Sequence, residues 1–195
     1  MFCSCGRRAT LLKDFRKSMN GCGKIVATDM SPVAPALFMA DETYLVPRID
    51  DPSYYEHVLD ICEKSKVKAI TTLIDPEIEI LAKNREDLLS KGILPLCPAD
   101  WTARLCYDKY EMFKYLHDKG VRTILTYNSL EGFKNGLEKG KISFPVFMKP
   151  INGSGSVGIG KVNSWEEAEA KFKDGKFTYI IQELMTGGDC DADRS

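Results

Sequence analysis

The chain has 195 residues, 44% of them hydrophobic and 28% charged, with a formal net charge of −1. That is ordinary composition for one large soluble domain or two small ones, and it lacks the concentrated positive charge of a general nucleic-acid binder. No apolar run approaches the roughly 18 residues of a membrane span, and the opening residues meet Arg7 and Arg8 before any long apolar stretch, unlike a signal peptide.

In chain order, "MFCS" reads as a short strand and "RRATLLKDFRKSM" as a helix with Ala9, Leu12, Phe15 and Met19 at helical spacing. "KIVATD" and "ETYLVP" are strands. "DPSYYEHVLDICEKSK" is a helix with Tyr54, Val58, Ile61 and Cys62 on one face. "VKAITTLID" is a strand of the buried type. Residues 76–92 read as one helix from Pro76 to the stop at Gly92, and "ILPLC" is a short strand. Strands alternating with helices predict parallel pairing, so residues 1–106 are expected to form a Rossmann-like open α/β sheet. Residues 107–120 are expected to be a helical connector. From there to 195 the pattern changes to a small α+β lobe: strand "RTILTY", helix "SLEGFKNGLEKG", strand "SFPVFMKP", strand "IGKVNS", helix "SWEEAEAKFKDG" and strand "FTYIIQELM". Ser164 and Glu167 predict a capping box.

Seven cysteines (3, 5, 22, 62, 97, 106 and 190) form an odd, scattered set that suits a reducing compartment, so a cytoplasmic location is expected. Cys3 and Cys5 lack a second pair at zinc spacing, and His57 and His117 are the chain's two histidines, so no metal site is expected from these residues.

The most informative stretch is Lys149–Val162, "KPINGSGSVGIGKV". It contains a GxGxxG at Gly153, Gly155 and Gly158. Dinucleotide-binding loops and P-loops aim a helix N-terminus at phosphate, which requires a helix directly after the glycines. Here β-favouring residues follow instead, so the stretch is predicted to be a hairpin. A hairpin tip can still cradle an anion, because glycine permits positive φ and turns successive N–H groups toward one point. Ser154 and Ser156 add hydroxyls, and Lys149 adds a positive charge. A solvated surface hairpin is the plain alternative. A nicotinamide-binding protein is disfavoured, because Gly6 is the only glycine in the first strand-helix turn.

The order of a Rossmann-like domain, Asp108-Lys109 opening a helix, "FPVFMKP", a glycine-serine hairpin and "IIQELMTGGD" resembles the ATP-grasp superfamily. It looks most like the branch of the carbamoyl-phosphate synthase large subunit. The resemblance implies that Lys109 and Lys149 reach ATP phosphates and that Gly153, Ser154, Gly155, Ser156 and Gly158 fold over them. It also implies that Gln182 faces adenine, that the backbone of Glu183 and Met185 forms the hinge at the adenine edge, and that Asp189 holds the ribose. Solvated roles are the alternatives for Lys109, Lys149 and Glu183. In the first domain Arg7 and Arg8 open a helix, and Asp29, Asp75 and Glu77 lie at C-terminal strand edges, where open α/β sheets take ligands. There they are expected to face a small carboxylate substrate, or else to form surface pairs and caps.

The activity implied is ATP-dependent ligation through an acyl-phosphate, with Mg2+ held by a second lobe. That lobe is not in these 195 residues, so the chain is expected to be the ATP-binding portion of a ligase and inactive by itself. The alternative is a non-catalytic nucleotide-binding or interaction module. An exposed sheet edge would then recruit a second copy or a partner chain.

Overall fold

The computed structural model describes residues 1–153 and 155–185. The chain divides into two compact units, Met1–Arg104 and Leu105–Ser195.

In the first unit β1 (Phe2–Cys3), β2 (Val26–Asp29), β3 (Glu42–Leu45), β4 (Ala69–Thr72) and β5 (Leu94–Pro95) form one sheet in the order β3-β2-β1-β4-β5. Every pairing is parallel. Parallel neighbours need crossovers, and α1 (Ala9–Met19), α2 (Tyr54–Lys64), α3 (Asp75–Lys83) and α4 (Arg85–Ser90) contribute to them. Strand order reverses at β1, which puts apolar cores on both faces of the sheet. One holds Cys3, Val26, Val58, Ile61, Ile70 and Leu81. The other holds Phe2, Leu12, Ala27 and Leu37. All four α2 residues that share a helical face in the sequence are buried.

Local structure departs from the sequence reading in three places. Residues 76–92 form two helices, because Asn84 leaves helical geometry with φ −97° and ψ 18°. Its side-chain amide donates 2.8 Å back to the carbonyl of Ile80, ending α3 before α4 starts. The helical connector expected at residues 107–120 is α6 (Lys109–Asp118), and a separate helix, α5 (Asp100–Tyr107), precedes it. The break is Asp108, whose carboxylate accepts from the N–H groups of Tyr110 and Glu111, each at 2.9 Å, and caps α6. A short 3-10 helix at Pro35–Met39 went unread, being too brief to show a period.

In the second unit β6 (Thr126–Tyr127), β7 (Val146–Pro150), β8 (Gly160–Val162) and β9 (Tyr179–Glu183) form an antiparallel sheet in the order β6-β9-β7-β8. Helices α7 (Leu130–Glu138) and α8 (Trp165–Lys173) cover one face of it. Phe133 is wholly buried there, stacked on Trp165 at 6.0 Å and edge-on to Phe144 at 5.5 Å. Truncating a side chain so placed costs about 3–5 kcal/mol. The cap of α8 follows the predicted pair with one shift. Ser164 Oγ accepts from Glu167 N, and the Glu167 carboxylate accepts 2.9 Å from the N–H of Asn163, one residue ahead of the cap. Among the described residues no helix is long and apolar enough to cross a membrane.

Candidate functional site

The chemistry of the second unit lies on the sheet face away from α7 and α8. Along β7 burial alternates: Val146, Met148 and Pro150 are buried, while Phe147 and Lys149 are half-buried. Strand side chains alternate faces, so Phe147 and Lys149 share the free face. Register brings partners to them. Phe147 lies opposite Gln182 and Lys161, and Lys149 lies opposite Ile180. Gln182 is therefore a diagonal neighbour of Lys149, with Cα atoms roughly 7–8 Å apart in such a pair.

Immediately after the glycines the chain enters β8 and not a helix, so the loop is a hairpin tip. Gly153, Gly155 and Gly158 have φ of 103°, 70° and 74°, and Ser156 has φ of 60°. Gly158 is needed twice over, for its φ and because a Cβ there would stand 2.9 Å from the Phe177 ring and 3.0 Å from Pro150. Ser154 and Asp189 lie outside the described residues.

Lys109, Phe147, Lys149, Pro150, Asn152, Gly153, Ser156, Val157 and Ile159 line a pocket of about 280 Å³. Two ammonium groups thus share one small cavity. That of Lys109 donates to the carbonyls of Ile151 (3.3 Å) and Gly153 (2.9 Å). The backbone N–H of Lys109 also reaches the Ile151 carbonyl, at 3.0 Å, and Asn152 Nδ2 donates 3.2 Å to the Tyr107 carbonyl. The start of α6 is therefore fastened to the mouth of the hairpin. Lys149 makes no hydrogen bond or ion pair with a described residue. Burial, and next the neighbouring Lys109, hold its pKa below the ordinary lysine value. A charged group in this position carries a desolvation cost with no partner among the described residues, and a bound anion would offset the two neighbouring positive charges.

Gln182 Nε2 donates 2.7 Å to Thr126 Oγ1 on β6. The N–H of Glu183 donates to the Leu125 carbonyl at 3.4 Å. Met185 is 63% exposed just past β9.

The first unit treats its candidates differently. Asp29 is buried and accepts from the N–H groups of Gly6 (2.7 Å) and Ser31 (2.9 Å), so it caps the β1-α1 turn, the alternative expected for it. Glu77 is fully buried, accepting from Tyr54 Oη and Thr72 Oγ1. Burial raises its pKa, with the hydrogen bonds from Thr72 and Tyr54 acting in the opposite sense. A substrate-facing role for Glu77 is corrected to a core polar network, because α3 turns its first-turn carboxylate inward between α2 and β4. Arg7, Arg8 and Asp75 are exposed. Among the described residues no group of three or more His, Cys, Asp or Glu side chains is placed to hold a metal ion. Phe147, Asn152 and Thr126 were missed in the sequence. The two-residue spacing of Phe147 from Lys149 was the available signal for the first of them.

Residues 1–96 match the family model described as PylC-like, N-terminal domain. A D-alanine–D-alanine ligase of Corynebacterium jeikeium (strain K411) is 54% identical over 33 residues, 17% of this chain and 9% of that protein. Among solved structures, the Staphylococcus aureus N5-carboxyaminoimidazole synthetase complexed with ADP superposes with a TM-score of 0.71 at 16% identity, covering 95% of this chain and 47% of that one. The biotin carboxylase domain of Hydrogenobacter thermophilus 2-oxoglutarate carboxylase, in complex with MgADP, ADP and bicarbonate, has a TM-score of 0.71 at 20% identity, covering 94% of this chain and 44% of that one. The chain spans less than half the length of each of these proteins. The chain shares with these structures the fold described above, a five-stranded parallel sheet followed by a four-stranded antiparallel sheet.

Proposed function

We propose that this chain is the ATP-binding portion of an ATP-grasp ligase, with triphosphate between Lys149, Lys109 and the Gly153–Gly158 hairpin and the base over Phe147 beside Gln182. The observation that carries the reading is the half-buried, unpartnered ammonium of Lys149, on one face with Gln182 and beside a turn whose backbone has four positive φ angles. Two structural neighbours solved with ADP support the ligand class. The finer assignment, to an enzyme like the carbamoyl-phosphate synthase large subunit acting on a small carboxylate, rests on the sequence resemblance. When bound, ATP supplies the activating phosphoryl group. The residues of this chain hold its phosphates by charge-assisted hydrogen bonds, each worth about 1.5–3 kcal/mol. The first unit offers Arg7, Arg8 and Asp75 at the carboxyl edge of its sheet for the acceptor substrate, where open α/β sheets take ligands.

Displacement of a ribose-labelled fluorescent ADP analogue tests the reading. ATP and ADP are expected to displace it and NADH is not. Displacement by NADH alone, or no binding of the analogue to folded protein, would remove the proposal.

A further inference from the structure

The two edges of the parallel sheet in the first unit are finished differently. At the β5 edge the N–H groups of Leu94 and Leu96 donate inward to the carbonyls of Lys68 and Ile70, at 2.9 and 2.7 Å. The residue between them, Pro95, therefore turns outward, and it has no N–H to offer an incoming strand. That edge is blunted. At the β3 edge Glu42 and Val46 donate inward to the carbonyls of Ile25 and Asp29, at 3.2 and 3.1 Å. In a parallel ladder every second residue bonds to the same neighbour, so Thr43 and Leu45 turn their N–H and C=O groups outward. β3 ends the sheet, and no other described strand pairs with that side of it. Its sequence, ETYL, holds neither the lysine nor the proline that commonly protects an exposed edge. The side chains of Thr43 and Leu45 line a shallow cavity of about 260 Å³ with Pro32 and Phe38. Phe38 is 73% exposed and Leu45 is 57% exposed, an unusual outlay of apolar surface beside unpaired backbone.

Charge along this edge is self-complementary. Asp41 and Glu42 stand at the start of β3, and Arg48 follows its end. An identical strand laid antiparallel sets each acidic start beside the other copy's Arg48, whereas a parallel one would set like charge on like. The three groups are already paired within the chain, with Arg16, Lys24 and Asp50, so contact buries no unpaired charge.

We infer that β3 is an interaction edge for a second copy of this chain, added antiparallel with Tyr44 at the two-fold axis. In that register Thr43 of each copy faces Leu45 of the other. All of these residues have outward backbone groups, so the two facing pairs exchange N–H···O=C bonds on both sides of the axis. Pro47, the next outward position, ends the ladder. Burial of Leu45 and Phe38 adds the apolar contribution. The contact is small, so a dissociation constant on the order of 10–100 µM is expected. It holds whether or not the second unit takes nucleotide.

Sedimentation velocity under reducing conditions, from about 5 to 500 µM protein, tests it. The mass is expected to rise from 21.9 kDa toward twice that value. Leu45→Lys puts a charge on the edge and Thr43→Pro removes an outward donor, and each is expected to weaken association at least tenfold with the circular dichroism unchanged. Leu89→Lys, at a 45% exposed apolar residue of α4, is expected to leave it as it was. The register is read by cross-linking in a background where Cys22, Cys106 and Cys190 are serine. Facing residues at a non-hydrogen-bonded antiparallel pair have Cα atoms about 4.5 Å apart, within disulfide reach, so Tyr44→Cys is expected to give a covalent dimer on mild oxidation. If Tyr44→Cys does not fold, a mixture of Thr43→Cys and Leu45→Cys chains is expected to cross-link as a heterodimer. A monomer at every concentration overturns the inference. So does association that Leu45→Lys leaves intact, that Leu89→Lys weakens equally, or that gives no cross-link from folded cysteine variants.

Discussion

Replacing Lys149 with Met separates binding from stability. The substitution keeps an unbranched side chain of similar length and removes one positive charge. In the folded protein that charge is half-buried, lacks a hydrogen bond or ion pair with any described residue, and shares its pocket with Lys109. Removing it relieves desolvation and like-charge repulsion and breaks no bond. The folded state is therefore expected to change by no more than about 0.5 kcal/mol, or to gain stability, where most substitutions lose about 1 kcal/mol. Nucleotide affinity is expected to move the other way. A charge-assisted contact worth about 1.5–3 kcal/mol corresponds to roughly 10- to 150-fold weaker ATP binding. Urea denaturation and isothermal calorimetry on the same preparation read the two effects. A variant destabilised by more than about 2 kcal/mol, or one that binds ATP as the parent does, would refute the reasoning, because Lys149 would then be a structural residue.

Glu77→Gln tests the buried network. Burial raises the folded pKa of Glu77 above its ordinary value of 4.5, so this group's contribution is fully present below that pH and is lost as pH rises through the folded value. Relative to the parent, Glu77→Gln is therefore expected to become progressively more favourable from pH 4 to pH 8 in denaturant titrations. A parent that gains on the variant over that range would contradict the assignment. Gly158→Ala forces a Cβ into the left-handed region at φ 74° and against Phe177 and Pro150. A loss of about 1–3 kcal/mol by thermal denaturation is expected, and no loss would mean that the turn is built differently. Asp29→Ala leaves the N–H groups of Gly6 and Ser31 without their acceptor. It is expected to cost about 1–3 kcal/mol with ATP affinity unchanged, and a selective loss of binding would return Asp29 to the ligand site.

What could be read from the sequence was whatever is local. The strand "SFPVFMKP" with a lysine near its end was legible, and the structure puts that ammonium on the less buried face of β7. The residues after Gly158 distinguished a hairpin from a helix-backed loop for the same reason. Legibility failed where the deciding partner is distant. Glu77 looked like a surface carboxylate at a strand edge, and its burial depends on Tyr54, 23 residues away on another helix. Gln182 could be proposed to face a base, but its hydrogen-bond partner Thr126 is 56 residues away on a two-residue strand with no period to announce it. The break at Asn84 is a local side-chain hydrogen bond competing with the helix, which a count of apolar spacing does not register.

The central claim is that one sheet face of the second unit holds a nucleotide, with phosphates at Lys149 and the base beside Gln182. A titration of 15N-labelled protein with ATP, followed by amide chemical shifts, examines it directly. The account predicts concerted shifts at Gly153, Gly155, Gly158, Lys149 and Gln182 that saturate with a single dissociation constant. Saturable shifts confined to the first unit, or none on β7, β9 and the hairpin at millimolar ATP, would contradict it.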